Sequence, residues 1–130
     1  MSLKTISKVF VLYLHSYQLE MFGGAQGLSN EGLLDSAITQ PFASFDGNDL
    51  YLTIEEKAAR YAFSIVKNHP FVDGNKRTGA AAMVAFLKVN GYEFLPDHKE
   101  FETIILGVAG GEISYETLVE FVRREAKEQQ

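Results

Sequence analysis

His69-Pro70-Phe71-Val72-Asp73-Gly74-Asn75-Lys76-Arg77-Thr78-Gly79 lies between two segments that read as strongly apolar helix. How the first helix stops and the second restarts decides the fold. Counting back from His69, the positions Ile65, Tyr61, Ala62, Ala58 and Ile54 fall at helical spacing, which predicts an imidazole on the inward face of the first helix. Pro70 ends that helix, because a proline disfavours helical geometry at the residue before it and cannot supply an N–H. A loop must follow, with Phe71 and Val72 available to anchor it in the core and Gly74 free to adopt angles that a side chain would block. From Asn75 or Lys76 a second helix starts, its free N–H groups and positive dipole end facing whatever the loop encloses. This is an anion site in the making, suited to phosphate. Lys76 offers a point charge and Arg77 a planar fork for phosphate oxygens. Asp73 is badly placed beside an anion unless it holds Mg²⁺ bound to the same phosphates. His69 is then placed to act as general base toward an attacking hydroxyl. These residue types at this spacing point to phosphoryl or nucleotidyl transfer.

The helix that delivers His69 begins at a capping box, Thr53 with Glu56 three residues on. The one that follows the motif runs Gly79-Ala80-Ala81-Ala82-Met83-Val84-Ala85-Phe86-Leu87 without a charge between Arg77 and Lys88. A helix apolar all round is expected at the centre of its fold, its small residues letting neighbours approach, and Asn90-Gly91 closes it. Toward the N-terminus, Ile6, Val9, Phe10, Tyr13, Leu14 and Tyr17 make one apolar stripe, and Val11, His15, Leu19 and Phe22 a second, so the first helix is expected to be covered on two sides until Gly23-Gly24 ends it. His15 reads as a partly buried histidine with a hydrogen-bond partner rather than as a ligand. Ser29 or Asn30 caps the next helix, with Leu33, Leu34, Ala37 and Ile38 inward and Pro41 stopping it. Residues 42–52 lack helical periodicity, and Asp46-Gly47-Asn48 is a turn that could close a short hairpin. Phe42, Phe45 and Tyr51 read either as core anchors of that segment or as contacts for a target, with anchoring the favoured reading. Beyond an extended connector, Tyr92 to Leu95, Asp97 caps a helix carrying Phe101, Ile104, Ile105 and Val108, which Gly110-Gly111 breaks. Ser114 caps the last helix, with Leu118, Phe121 and Val122 inward and its charged end, Arg123 to Gln130, expected to fray in solvent.

At 130 residues and 46% hydrophobic content the chain is expected to be a single domain, residues 1–130, able to bury a core without staples. It has no cysteine, which excludes disulfides and thiol catalysis and suits a reducing cytoplasm. Twelve basic against 17 acidic residues, a formal charge of -5, argue against a general nucleic-acid binder. The run Val9 to Leu14 after Lys4 and Lys8 is too short for a signal peptide, and no stretch approaches the ~20 apolar residues of a membrane span.

The run HPFVDGNKR resembles the signature of the Fic/Doc superfamily, which reads HPF, any residue, Asp or Glu, GN, then Gly or Lys, and Arg. Lys76 is the mark of its death-on-curing (Doc) branch. The resemblance extends to Phe22-Gly23-Gly24, to the segment from Gly27-Leu28 to Ala37 and to Pro41. It implies an all-α bundle of about six or seven helices around a buried central helix, with a possible small flap hairpin beside the site that helps dock the target. In typical Fic proteins a Gly at the Lys76 position leaves room for a nucleotide's phosphates and supports AMP transfer. Doc-like Lys76 implies the reverse nucleotide orientation, in which ATP presents its γ-phosphate and the protein phosphorylates a threonine of elongation factor Tu. Ala80, where many Fic proteins carry a further Arg, agrees. The resemblance thus implies a cytoplasmic toxin that blocks translation, using Mg²⁺ with ATP as substrate: His69 as base, Asp73 as metal ligand, Gly74, Asn75, Lys76 and Arg77 as the phosphate cradle, and Phe71 as packing. The inhibitory Fic pattern, Ser or Thr followed four residues later by Glu and then Gly or Asn, is not met at Glu31-Gly32, because Gly27 stands in the first place. Restraint is therefore expected from a separate, Phd-like antitoxin segment in an apolar groove. An AMP-transferase with the same site, and a binding protein of this fold without turnover, are the alternatives; neither nucleic acid nor membrane is expected as a partner.

Overall fold

The computed structural model describes residues 2–129. Six α-helices account for most of it: α1 (Lys8–Phe22), α2 (Glu31–Thr39), α3 (Ile54–Asn68), α4 (Asn75–Val89), α5 (His98–Gly110) and α6 (Tyr115–Glu125). Four short strands complete the chain: β1 (Ser44–Phe45) with β2 (Asn48–Asp49), and β3 (Tyr92–Phe94) with β4 (Ala126–Glu128), both pairs antiparallel. The expected all-α architecture stands.

The predicted helix starts hold at atomic detail. Thr53 and Glu56 form the capping box, with the Thr53 hydroxyl taking the Glu56 N–H at 3.0 Å and a Glu56 carboxylate oxygen taking the Thr53 N–H at 3.0 Å. Asn30, Asp97 and Ser114 cap α2, α5 and α6 through their side chains. A single 3₁₀ turn, Gln40–Phe42, carries Pro41 and leads into the β1–β2 hairpin. Asp46 and Gly47 both have positive φ, 54° and 81°, the backbone that a tight hairpin turn requires.

α3 and α4 share the centre, α3 packing against α2, α4, α5 and α6, and α4 against α1, α3, α5 and β3. α4 comes close to α3 at Gly79, where an added Cβ would fall 2.7 Å from Val66 Cγ2 and 3.1 Å from the Ala62 carbonyl. Thr78, Gly79, Ala82, Met83, Phe86 and Leu87 are buried, but Ala81, Val84 and Ala85 are only half-covered, so the helix has a thin outer side. The rings of Phe42, Tyr61 and Phe86 meet beside it.

Three expectations are corrected. The first helix is covered on one side: Val11, His15 and Leu19 are buried, while Val9, Tyr13 and Tyr17 are 75%, 60% and 45% exposed. Among the described residues its main neighbours are α4 and α2, which cover the other face. Phe45 is exposed at the hairpin and does not anchor it, whereas Phe42 packs on the core and Tyr51 stacks edge-on with Tyr115. Finally, Arg123 to Gln130 is not a frayed end as far as Gln129. The helix stops at Glu125 and Ala126 turns inward opposite Phe94, with Lys127 across from Glu93. Phe94 and Ala126, which face each other across the pair, are its buried positions. Gln130 lies outside the described residues.

Candidate active site

His69 terminates α3 in the left-handed conformation, φ 53° and ψ 56°. This is a costly geometry for a residue with a Cβ, of about 1–3 kcal/mol, and such strain persists only where surrounding contacts enforce it. The enforcing contacts are visible. Pro70 is buried, and its carbonyl accepts the Ser29 and Asn30 N–H groups at 2.8 and 3.0 Å. The Val72 N–H donates to the Gly27 carbonyl at 3.0 Å, so the segment leading into α2 is stitched to the motif loop. The left-handed turn takes His69 off the helical register, and its side chain is exposed, not inward as periodicity predicts. Phe71 is buried and anchors the loop, but Val72 is 55% exposed and does not.

Asn75, the first residue of α4, is 3% exposed and holds the loop together. Its Oδ1 accepts the Phe71 N–H at 3.0 Å, and its Nδ2 donates to the Phe71 carbonyl at 2.9 Å. These two backbone partners fix the orientation of the amide. Nδ2 also lies 3.1 Å from His69 Nδ1. An amide NH₂ only donates, so Nδ1 accepts, and the neutral ring carries its proton on Nε2. The Asn75 side chain is thus occupied inside the loop, and what it leaves for an anion is its backbone N–H.

Asp73 is exposed, and both of its carboxylate oxygens are engaged by backbone. Ala25 N–H donates to Oδ2 at 3.1 Å and Gly74 N–H to Oδ1 at 2.8 Å. These two bonds, Ala25 first, hold its pKa below the usual carboxylate value, with Lys76 and His15 assisting through their charge. The close approach explains Gly24, where a Cβ would sit 2.9 Å from Asp73 Oδ2 at a φ of 127°. No group of three or more His, Cys, Asp or Glu side chains gathers among the described residues, so there is no protein cage for a metal. A single ionised carboxylate beside a helix start suited to phosphate is nevertheless compatible with Mg²⁺, which takes most of its ligands from phosphates and water. The residues present fit that ion.

α4 opens with Gly74 at φ 79° and without any side-chain cap. Its first N–H groups therefore face outward with the helix dipole behind them. Lys76 and Arg77 flank this end, both exposed, and neither forms an ion pair among the described residues. The Arg77 guanidinium lies over the Phe22 ring, 4.4 Å from its centroid. Two supports escape a reading of the motif alone: the Gly24-Ala25 backbone around Asp73, and Phe22 as a platform for Arg77. The only sequence signal for either is the Phe22-Gly23-Gly24 turn at the end of α1.

Comparison with known proteins agrees with this geometry. A model described as the Fic/DOC family matches residues 5–87. A protein named Toxin Doc from Mycolicibacterium smegmatis is 43% identical over 76 residues, which cover 58% of this chain and 58% of that relative's length. A protein named Protein kinase doc from Escherichia phage P1 is 29% identical over 122 residues, 94% of this chain and 95% of that protein. With its motif loop, its Lys76 and these relatives taken together, the chain belongs to the Fic/DOC family, on the Doc side of it.

Proposed function

We propose that the chain is the toxin of a toxin–antitoxin pair and acts as a protein kinase, moving the γ-phosphoryl group of ATP to a threonine hydroxyl on elongation factor Tu. The observation that carries this reading is the grouping, within His69 to Arg77, of an exposed histidine, an ionised Asp73 and an uncapped helix start flanked by two unpaired cations. The printed name of the phage relative, a protein kinase, supports the same chemistry. The backbone N–H groups of Asn75, Lys76 and Arg77, with the two cationic side chains, bind and orient the phosphates. Asp73 would hold Mg²⁺, which when bound offsets phosphate charge. The threonine oxygen forms the new P–O bond, the bond between the γ-phosphorus and the ADP oxygen breaks, and the threonine proton passes to His69. In the resting arrangement the ring presents N–H rather than a lone pair, so taking that proton requires the Asn75 contact to open. The exposed position of His69 leaves the ring room to turn.

Phe45 on the hairpin, with Leu50 and Leu52 beside it, supplies the exposed apolar surface for docking the target. The exposed stripe Val9, Tyr13 and Tyr17 on α1 offers an apolar face for a Phd-like antitoxin segment, and a cavity of about 470 Å³ lies between α1, residues 24–28 and Phe71. We place the protein's action in the cytoplasm, where ATP and elongation factor Tu are found; no helix among the described residues is long and apolar enough to cross a membrane.

Induced expression in growing bacteria tests the reading. The expected result is growth arrest with new phosphothreonine on elongation factor Tu, found by peptide mass spectrometry, and neither effect with His69→Ala. Arrest that persists in His69→Ala would contradict a catalytic role.

A further inference from the structure

The peptide between Asp73 and Gly74 is held from outside the motif. His15, on α1, is 5% exposed, and its Nε2 lies 2.7 Å from the Asp73 carbonyl oxygen. A carbonyl only accepts, so Nε2 donates. The ring is itself clamped, stacked on Phe71 with centroids 3.7 Å apart and planes 8° from parallel. A trans peptide points its C=O and N–H in opposite directions, so fixing the oxygen fixes the N–H. That N–H belongs to Gly74 and donates to Asp73 Oδ1. Glycine tolerates many backbone angles, so Gly74 by itself would not hold this peptide in one orientation. Turning it over would withdraw one of the two donors from the Asp73 carboxylate and re-aim the residue that opens α4.

We infer that His15 is a positioning residue, which orients the Asp73–Gly74 peptide and through it both the Asp73 carboxylate and the phosphate-facing start of α4. The inference deepens the transferase reading and rests on it for its consequence in catalysis, whereas the hydrogen bond itself can be read without any activity. Two substitutions separate this role from packing alone. His15→Gln keeps an N–H donor near the place of Nε2 and loses the stacked ring; His15→Phe keeps the stacked ring and loses the donor.

Amide hydrogen exchange at Gly74 is read first, in the nucleotide-free protein. Binding of Mn²⁺ with ATP follows, by water-proton relaxation, and then kcat and KM for transfer. In His15→Phe the Gly74 amide should exchange about tenfold faster, and Mn²⁺–ATP affinity and kcat should each fall about tenfold or more, the scale of losing a group that orients a metal ligand. His15→Gln should recover most of both. The opposite ranking, or no change at Gly74 in either variant, would overturn the inference and leave His15 as packing. If the unsubstituted protein binds Mn²⁺–ATP and transfers no phosphate, the kinase reading fails, and Gly74 exchange still decides the role of His15.

Discussion

His69 combines exposure, a left-handed backbone and a hydrogen bond that determines where its proton sits. Replacing it with glycine should therefore separate stability from activity. Glycine adopts φ near 53° without a Cβ penalty, so His69→Gly should raise unfolding stability in urea by about 0.5–1 kcal/mol while abolishing transfer, the trade expected of strain kept at a working site. The proton assignment is checkable directly: ¹⁵N-imidazole spectra of the ligand-free protein should show Nε2 protonated and Nδ1 accepting, and a dominant Nδ1–H form would contradict the Asn75 contact. Asp73 titrates below its ordinary value because Ala25 and Gly74 stabilise its charged form. That stabilisation is complete above the unfolded value of about 3.9 and is lost as pH falls through the lower folded one. Ala25→Pro removes the first donor, so the ¹³C carboxyl midpoint of Asp73 should move up toward the ordinary value. At this scale the identities in the motif were legible in the sequence, but the direction of His69 was not. Helical periodicity points it inward, and only the left-handed turn before Pro70 sends it out.

Helix caps were the most legible elements, because a cap is a local bargain between one side chain and N–H groups two or three residues on, as at Thr53, Asn30, Asp97 and Ser114. The strand pair Tyr92–Phe94 with Ala126–Glu128 was not, because three-residue strands carry too little alternation to show and their partners lie far apart in the chain. The cover on α1 was misjudged for a related reason: a sequence shows which residues are apolar, not whether a neighbour arrives to bury them. The α3–α4 contact at Gly79 has a sharp consequence. Gly79→Val must push against Val66 and the Ala62 carbonyl, and should cost about 2–3 kcal/mol in chemical denaturation, well beyond the helix-propensity change. A variant as stable as the parent would show that the two helices are not in this register.

Across the whole molecule, the site is assembled from three places in the chain. The end of α3 presents His69, the start of α4 presents Lys76 and Arg77, and the stretch from α1 to residue 30 braces the loop between them through His15, Phe22, Ala25 and Gly27. The motif was legible because its chemistry is contiguous; of the brace, a buried and hydrogen-bonded His15 was legible, whereas the Ala25 N–H and the Gly27 carbonyl have no residue signature. The orientation of the nucleotide over this assembly is the central claim, and it turns on Lys76. The direct measurement is transfer of label to purified elongation factor Tu, run in parallel with ATP labelled at the γ- or the α-phosphate, in Mg²⁺, with His69→Ala as control. The account predicts γ label on a threonine, no α label, and loss of transfer by about 10²–10⁴-fold in His69→Ala. Label from the α-phosphate would contradict it, making the protein an AMP-transferase despite Lys76.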